Sequence, residues 1–147
     1  NPQCDSLASF VSYFSLYAES FLNLAGIMCR LRVADDIPHS PLDSKQRHGI
    51  FCIFKEVLNN VVRHSSATEV WVAFEVSEGK LLLSVIDNGC GFEFVPGAPG
   101  KDGLTSMHQR MHELGGLCQI TSRAGCGTTI RISLPLNSNQ NGQSSNR

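Results

Sequence analysis

Residues 50–64 read IFCIFKEVLNNVVRH, and their pattern is the strongest indication of the fold. Apolar side chains recur at every third and fourth position without a gap, at Ile50, Ile53, Phe54, Val57, Leu58, Val61 and Val62. That period predicts an amphipathic helix whose apolar stripe faces a core. Residues four and seven apart share a face of a helix, so Glu56, Asn60 and Arg63 are expected to converge on one spot of the polar face.

The segments on either side of this helix predict two further helices and five strands. The helical period covers residues 7–25 and 104–114, and extended patterns cover 27–33, 70–76, 80–86, 117–123 and 128–134. Strands that come in adjacent runs, instead of alternating strictly with helices, favour an α+β fold. We therefore expect a two-layer α+β sandwich, with a mixed, mostly antiparallel sheet and about three helices on one face.

Composition limits the function before any motif is considered. Twelve Lys and Arg against thirteen Asp and Glu leave a formal charge of -1, so no basic field exists to hold nucleic acid or an anionic membrane. The apolar runs, such as Ile50–Phe54, are far shorter than the ~18 residues of a membrane-spanning helix. We expect one domain over residues 1–136 and a disordered polar tail or linker over 137–147, where no residue is apolar.

The six cysteines give no sign of a thiolate metal site or a disulfide framework. None forms a C-x-x-C pair, and the closest two, Cys118 and Cys126, are eight residues apart. Cys29, Cys52 and Cys118 lie inside patterned segments, where cysteine usually serves as a small buried apolar residue. This usage favours a reducing, cytoplasmic location for the domain, whether or not a parent protein is anchored in a membrane.

The polar face of the central helix is the first candidate site. Its side chains follow the order Glu56-x-x-x-Asn60-x-x-Arg63-His64. An amide oxygen is a hard, neutral ligand that suits Mg²⁺, and a neighbouring guanidinium neutralises phosphate charge through forked hydrogen bonds. The alternative is a plain solvated helix face.

The second candidate is Asp87–Phe92, DNGCGF, directly after an apolar strand. An ionised carboxylate accepts hydrogen bonds and cannot donate them, so in a pocket it would pair with the exocyclic amine of adenine and repel the keto oxygen of guanine. The glycines would let the backbone approach a ligand. The alternative is a simple turn, because D-N-G is also common turn chemistry.

The third candidate is the glycine-rich entry to the last helix, Gly100-Lys101-Asp102-Gly103-Leu104. Free N–H groups at the start of a helix point toward anions, so this entry could cradle phosphate. It follows a long glycine- and proline-rich loop over residues 88–103, and loops of that length in small domains are usually functional. The spacing is not that of a P-loop, and a merely flexible loop is the alternative.

Taken together, these motifs resemble the ATP-binding catalytic domain of sensor histidine kinases, in particular the NarX, DesK and LiaS type. The N-box of that type, E-A-x-x-N-x-x-K/R-H-S/A-x-A, is similar to residues 56–67, EVLNNVVRHSSA. Its D-N-G-x-G-F box matches residues 87–92, and its G-L-x-x-M-x-x-R-M box matches 103–111. The last box is matched by GCGTT at 125–129 and ISLP at 132–135.

The resemblance implies the GHKL (Bergerat) fold, with ATP and Mg²⁺ as cofactors. Carried over by position, Asn60 would ligate the Mg²⁺ that bridges the ATP phosphates, and Arg63 and His64 would approach those phosphates. Asp87 would bind the adenine amine, with Thr128 assisting through water.

The remaining roles that the resemblance implies concern the ATP lid, expected at about residues 93–106, and catalysis. Gly89 and Gly91 would line the pocket and hinge the lid, and Gly103 and Leu104 would offer backbone donors to the phosphates. Glu56 occupies the acid position that activates water in hydrolytic relatives.

The family usually has Gly-x-Gly before the leucine, whereas Lys101 stands here in place of the first glycine. Either Gly100 serves with a shift of one residue, or Lys101 itself reaches the phosphates.

The expected activity is transfer of the γ-phosphoryl group of Mg-ATP to a histidine on a separate helical dimerisation domain, with a response regulator downstream. Among the five histidines only His112 precedes an acidic residue, Glu113, and it falls within the third predicted helix. We therefore expect that the domain does not phosphorylate itself. A nucleotide-binding regulatory or scaffold module without phosphotransfer is the alternative, and a stand-alone hydrolytic ATPase is a third reading.

Overall fold

Five strands form a single mixed sheet in the order β1-β2-β3-β5-β4. The computed structural model describes residues 6–93 and 102–136, without the side chains of residues 102 and 103. The strands are β1 (Met28–Val33), β2 (Glu69–Ser77), β3 (Lys80–Asp87), β4 (Leu117–Ser122) and β5 (Thr128–Pro135). β1 runs parallel to β2, and the other neighbouring pairs are antiparallel. The sheet is therefore mixed and mostly antiparallel, as predicted.

Three α-helices accompany the sheet in the described part of the chain. They are α1 (Leu7–Leu24), α2 (Ser44–Asn60) and α3 (Asp102–Glu113), and a π-helical turn at Val61–Ser65 continues α2. Ser6 caps α1 by accepting a hydrogen bond from the backbone N–H of Ser9, and Asp43 caps α2 by accepting one from Gln46. Both caps satisfy backbone donors that a helix leaves free at its start.

The core lies between the helices and one face of the sheet. Alternate residues of β2, β3 and β5 point into it and are buried, namely Val70, Val72, Phe74, Leu81, Leu83, Val85, Ile130, Ile132 and Leu134. The apolar stripe predicted for residues 50–62 packs on them from α2. The ring of Phe14 on α1 stacks on that of Phe54 on α2, with centroids 4.8 Å apart, and both lie near Phe74 of the sheet. The two-layer α+β sandwich predicted from the sequence is confirmed.

The prediction of a regular α-helix through Val62 was wrong for the last turn. The α-helix ends at Asn60, and residues 61–65 widen into the π-helical turn. The hydroxyl of Ser65 donates to the carbonyl of Val61, and the carbonyl of Ser65 accepts from Cys90 N–H, each at 2.6 Å. These bonds hold the wider turn against the loop that follows β3, a non-local contact that periodicity does not encode.

Candidate nucleotide-binding site

A cavity of about 530 Å³ opens between α2, the start of α3 and the ends of β3 and β5 that meet in the sheet. Its lining combines charged, polar and apolar side chains: Glu56, Val57, Asn60, Val61, Arg63, His64, Ser65, Asp87, Gly91, Phe92, Leu104, Thr128 and Ile130. Two other large grooves, on the outer face of the sheet and between α1 and α2, are lined by no buried ionisable side chain. The cavity beside Asp87 is therefore the candidate site.

Asp87 is the buried carboxyl group of this cavity. It is the last residue of β3, pairs with Thr128 of β5, and is only 6% exposed. Removal from water raises the pKa of this carboxyl above its ordinary value, while hydrogen bonds from the backbone N–H groups of Gly89 and Thr128 act in the opposite direction. The Gly89 bond reaches Oδ1 at 2.8 Å. The site thus holds a hydrogen-bond acceptor in a position screened from solvent.

The hydroxyl of Thr128, beside Asp87, is fixed by a short network. Ser122 Oγ lies 2.9 Å from Thr128 Oγ1, donates to the carbonyl of Gly127, and accepts from the backbone N–H of Phe92. Ser122 therefore joins the two strands and the DNGCGF loop at one point. Sequence reasoning gave no role to Ser122 or Phe92, although Phe92 belongs to the motif and lines the cavity.

Two glycines of the motifs are required where the loop after β3 contacts the loop before β5. Gly91 and Gly127 both adopt positive φ, of 60° and 73°. A Cβ on Gly91 would clash with the carbonyl of Arg123, and one on Gly127 with the carbonyl of Asp87. Gly91 lines the cavity, as expected from the resemblance, whereas Gly89 lies outside the lining and packs against the backbone of Ser65. The loops interlock and so set the position of Asp87.

The side chain of Asn88 has a structural role. Its Oδ1 accepts from the backbone N–H groups of Thr68 and Glu69, at 3.0 and 3.1 Å, and its Nδ2 donates to the hydroxyl of Thr68. These three bonds tie the end of β3 to the chain entering β2. Asn88 thus helps to fix the backbone next to the carboxyl group of Asp87.

The polar face of α2 meets Asp87 across the cavity. Glu56, Asn60, Arg63 and His64 all line it, so the convergence predicted from helix spacing is observed. Arg63 and His64 lie on the π-helical turn. Such turns within helices are frequent at functional sites.

The end of the site nearest α3 is partly outside the described residues. Leu104 lines the cavity, and Gly103 contributes only its backbone to the description, within the first turn of α3. Lys101 and most of the predicted lid, residues 94–101, lie outside the described residues. Glu56 also lines a second cavity of about 230 Å³ with Ile53 of α2 and with Ser106, Met107 and Arg110 of α3.

The fold and this cavity define an α+β domain whose candidate ligand site lies between the helical layer and the sheet. Residues 45–138 match the model of a family described as "Histidine kinase-, DNA gyrase B-, and HSP90-like ATPase". The chain belongs to this family, and the GHKL fold implied by its motifs is confirmed.

The relatives in sequence are sensor kinases. The sensor histidine kinase LiaS of Bacillus subtilis is 35% identical over 108 residues, which cover 74% of this chain and 30% of LiaS. The sensor protein VraS of Staphylococcus epidermidis is 37% identical over 92 residues, covering 63% of this chain and 26% of VraS. The chain therefore spans under a third of these relatives, and it corresponds to the ATPase domain of a sensor histidine kinase.

Solved structures share the fold at low sequence identity. The histidine kinase domain of the blue-light activated kinase from Erythrobacter litoralis EL346 superposes with a TM-score of 0.71 at 22% identity, covering 94% of this chain and 66% of that one. The histidine kinase AdeS of Acinetobacter baumannii gives 0.68 at 19% identity, covering 90% and 66%. Within residues 6–93 and 102–136, no helix has the length and apolar character to cross a bilayer.

Asp87→Asn is expected to change the pH dependence of stability. A carboxyl whose folded-state pKa is raised stabilises the fold most when protonated, so the wild type loses stability as pH rises from near 3.8 through the folded-state pKa. The amide does not titrate there. The free energy of unfolding of the variant, measured by urea titration between about pH 3 and pH 8, should gain on the wild type as pH rises and then level off.

Asp36→Asn is the control for this experiment, because it makes the same change at an exposed aspartate in the loop after β1. A variant-minus-wild-type difference that is independent of pH for Asp87, or equal in the two variants, would contradict the assignment of a desolvated carboxyl.

Proposed function

We propose that this domain binds Mg-ATP and delivers the γ-phosphoryl group to a histidine on a helical dimerisation domain of its parent protein, from which a response regulator receives it. The observation that carries the proposal is the shared cavity: a buried carboxyl on the sheet lines it together with an amide on α2 and a guanidinium and an imidazole on the π-helical turn. The similarity to sensor kinases supports the same function.

Adenine fits the Asp87 side of the cavity. The ionised carboxylate accepts the exocyclic amine of adenine, whereas the keto oxygen of guanine would meet a second acceptor. Apolar side chains of Val61, Phe92 and Ile130 line the same cavity and provide surface for a purine ring. The Thr128 hydroxyl, held by Ser122, is placed to order a water beside the base.

The triphosphate fits the α2 side. The Asn60 amide oxygen would hold Mg²⁺, and the ion would supply positive charge that offsets the charge of the phosphates. Arg63 and His64 line the cavity one turn further on and would neutralise the remaining phosphate charge.

Glu56 is the proposed catalytic residue. It lies one turn before Asn60, where the nucleotide cavity meets the smaller cavity beside α3. A carboxylate there can accept a hydrogen bond from one ring N–H of an incoming imidazole, which directs the lone pair of the other nitrogen toward phosphorus. The transfer itself depends mainly on positioning and charge neutralisation.

Asp87→Asn should weaken ATP binding about 10- to 100-fold, because an amide N–H in place of a carboxylate oxygen leaves a buried group mispaired at a cost of roughly 1.5–3 kcal/mol. The preference for ATP over GTP should fall as well. Calorimetric titration with ATP, ADP and GTP measures both effects, with Asp36→Asn as the exposed control. Unchanged ATP affinity in Asp87→Asn would refute the adenine assignment.

Asn60→Ala should remove the metal dependence of binding. We expect its ATP affinity with Mg²⁺ to fall to about the value without Mg²⁺, since the amide ligand is lost while the adenine contacts stay. Asn59→Ala is a matched control, because Asn59 is the adjacent asparagine of α2 and does not line the cavity. Equal losses with and without Mg²⁺ would argue against Asn60 as the metal ligand.

Phosphotransfer should require the second domain. With γ-labelled ATP the isolated domain should stay unlabelled, and adding the dimerisation domain of the parent protein should yield acid-labile, alkali-stable phosphohistidine there. At ATP concentrations below the Kd of the variant, Asp87→Asn should lower that label in proportion to its weaker ATP binding. Label on the isolated domain would contradict the proposal. Intact ATP binding with no label on either domain would favour the nucleotide-binding scaffold, the reading that Lys101 at a glycine position supports.

A further inference from the structure

Two hydroxyl groups meet where the ends of β4 and β5 border the nucleotide cavity. Ser122 Oγ has three hydrogen-bond partners: the backbone N–H of Phe92 at 2.9 Å, Thr128 Oγ1 at 2.9 Å and the carbonyl of Gly127 at 3.2 Å. A serine hydroxyl has one proton to donate and two lone pairs that accept. The three contacts therefore use the whole hydrogen-bonding capacity of Ser122.

Only one arrangement of the two hydroxyl protons satisfies all three contacts. The N–H of Phe92 can only donate, and the carbonyl of Gly127 can only accept. Ser122 must then give its proton to Gly127, which leaves it a lone pair for Thr128. The hydroxyl proton of Thr128 consequently points to Ser122. In the other arrangement Ser122 donates to Thr128, and the carbonyl of Gly127 loses this donor.

We propose that Ser122 is a positioning residue that sets the preference of the site for a 6-amino purine over a 6-keto purine. Because Ser122 holds the proton of Thr128, the Thr128 hydroxyl can only accept hydrogen bonds from the cavity. This inference rests on the proposed nucleotide-binding function. It adds to that function a residue that lies behind the cavity lining.

The two polar side chains that the sheet contributes to the cavity are then both acceptors, Asp87 and Thr128. The backbone N–H groups of Gly89 and Thr128 are already bonded to the carboxylate. A 6-amino purine brings N–H donors to these acceptors, whereas a 6-keto purine brings an oxygen that needs a donor. Both side chains are buried, so leaving such an oxygen without a donor beside them weakens binding.

Titration with ATP and inosine triphosphate tests this preference, because the two nucleotides differ only in the 6-substituent of the base and in the protonation of ring nitrogen N1. We expect the wild type to prefer ATP. Ser122→Ala frees the Thr128 proton for a 6-keto oxygen. The preference for ATP should therefore fall about tenfold, the effect of roughly one hydrogen bond, while ATP affinity itself changes less than about threefold.

Three further variants separate this role from a merely structural one, which would weaken the binding of both nucleotides equally. Ser122→Thr keeps a hydroxyl and should keep the wild-type preference. In a Thr128→Val background, Ser122→Ala should no longer change the preference, since no hydroxyl proton remains to be freed. Ser133→Ala is the matched control, because Ser133 lies on β5 and lines the groove on the outer face of the sheet. Circular dichroism checks that each variant is folded.

Neutron diffraction from a crystal of the nucleotide-free wild-type domain, exchanged into heavy water, tests the proton arrangement without a variant or a ligand. We expect the deuteron of Ser122 to point to the carbonyl of Gly127, and that of Thr128 to point to Ser122. A Thr128 deuteron directed into the cavity would overturn the proposal, as would an unchanged nucleotide preference in Ser122→Ala. A wild type that binds neither nucleotide would refute the proposed function, and the deuteron positions would still decide whether Thr128 is an acceptor.

Discussion

The rest of the site depends on one buried carboxyl group, that of Asp87. Its removal from water costs stability unless donors are held in place around it, and the backbone N–H groups of Gly89 and Thr128 supply them. The pairing of β3 with β5 fixes one donor, and the turn after β3 fixes the other. A destabilising acceptor maintained in this way beside a cavity is typical of a functional group.

Much of what surrounds the carboxyl exists to hold its position. Gly91 and Gly127 let the loop after β3 and the loop before β5 contact each other without a clash. The hydroxyl of Ser122 forms hydrogen bonds with both loops. Asn88 fastens the same corner to the start of β2. Within the motif, the side chains of Asp87 and Phe92 line the cavity, and the other residues mostly make contacts between loops.

The sequence predicted the parts of the fold that local rules control. The stripe from Ile50 to Val62 identified the core-facing helix, and its polar face correctly grouped Glu56, Asn60 and Arg63 around one cavity. The π-helical turn could not be predicted, because it depends on the bond between Ser65 and Cys90, residues that only the folded chain brings together. The role of Ser122 was missed for the same reason. Cys52 was expected to be buried but is only partly buried, because its exposure depends on how the helices pack.

Helix α2 links the elements of the proposed mechanism because its side chains face different neighbours along its length. Its C-terminal half and the π-helical turn line the nucleotide cavity together with Asp87. Glu56 stands where that cavity meets the smaller one beside α3, and Leu104 of α3 borders the first while Arg110 borders the second. The position of α3 against α2 therefore sets the surroundings of both the proposed triphosphate site and the proposed catalytic carboxylate. Because phosphoryl transfer depends on positioning more than on covalent chemistry, this helix pair is where the geometry of the reaction would be determined.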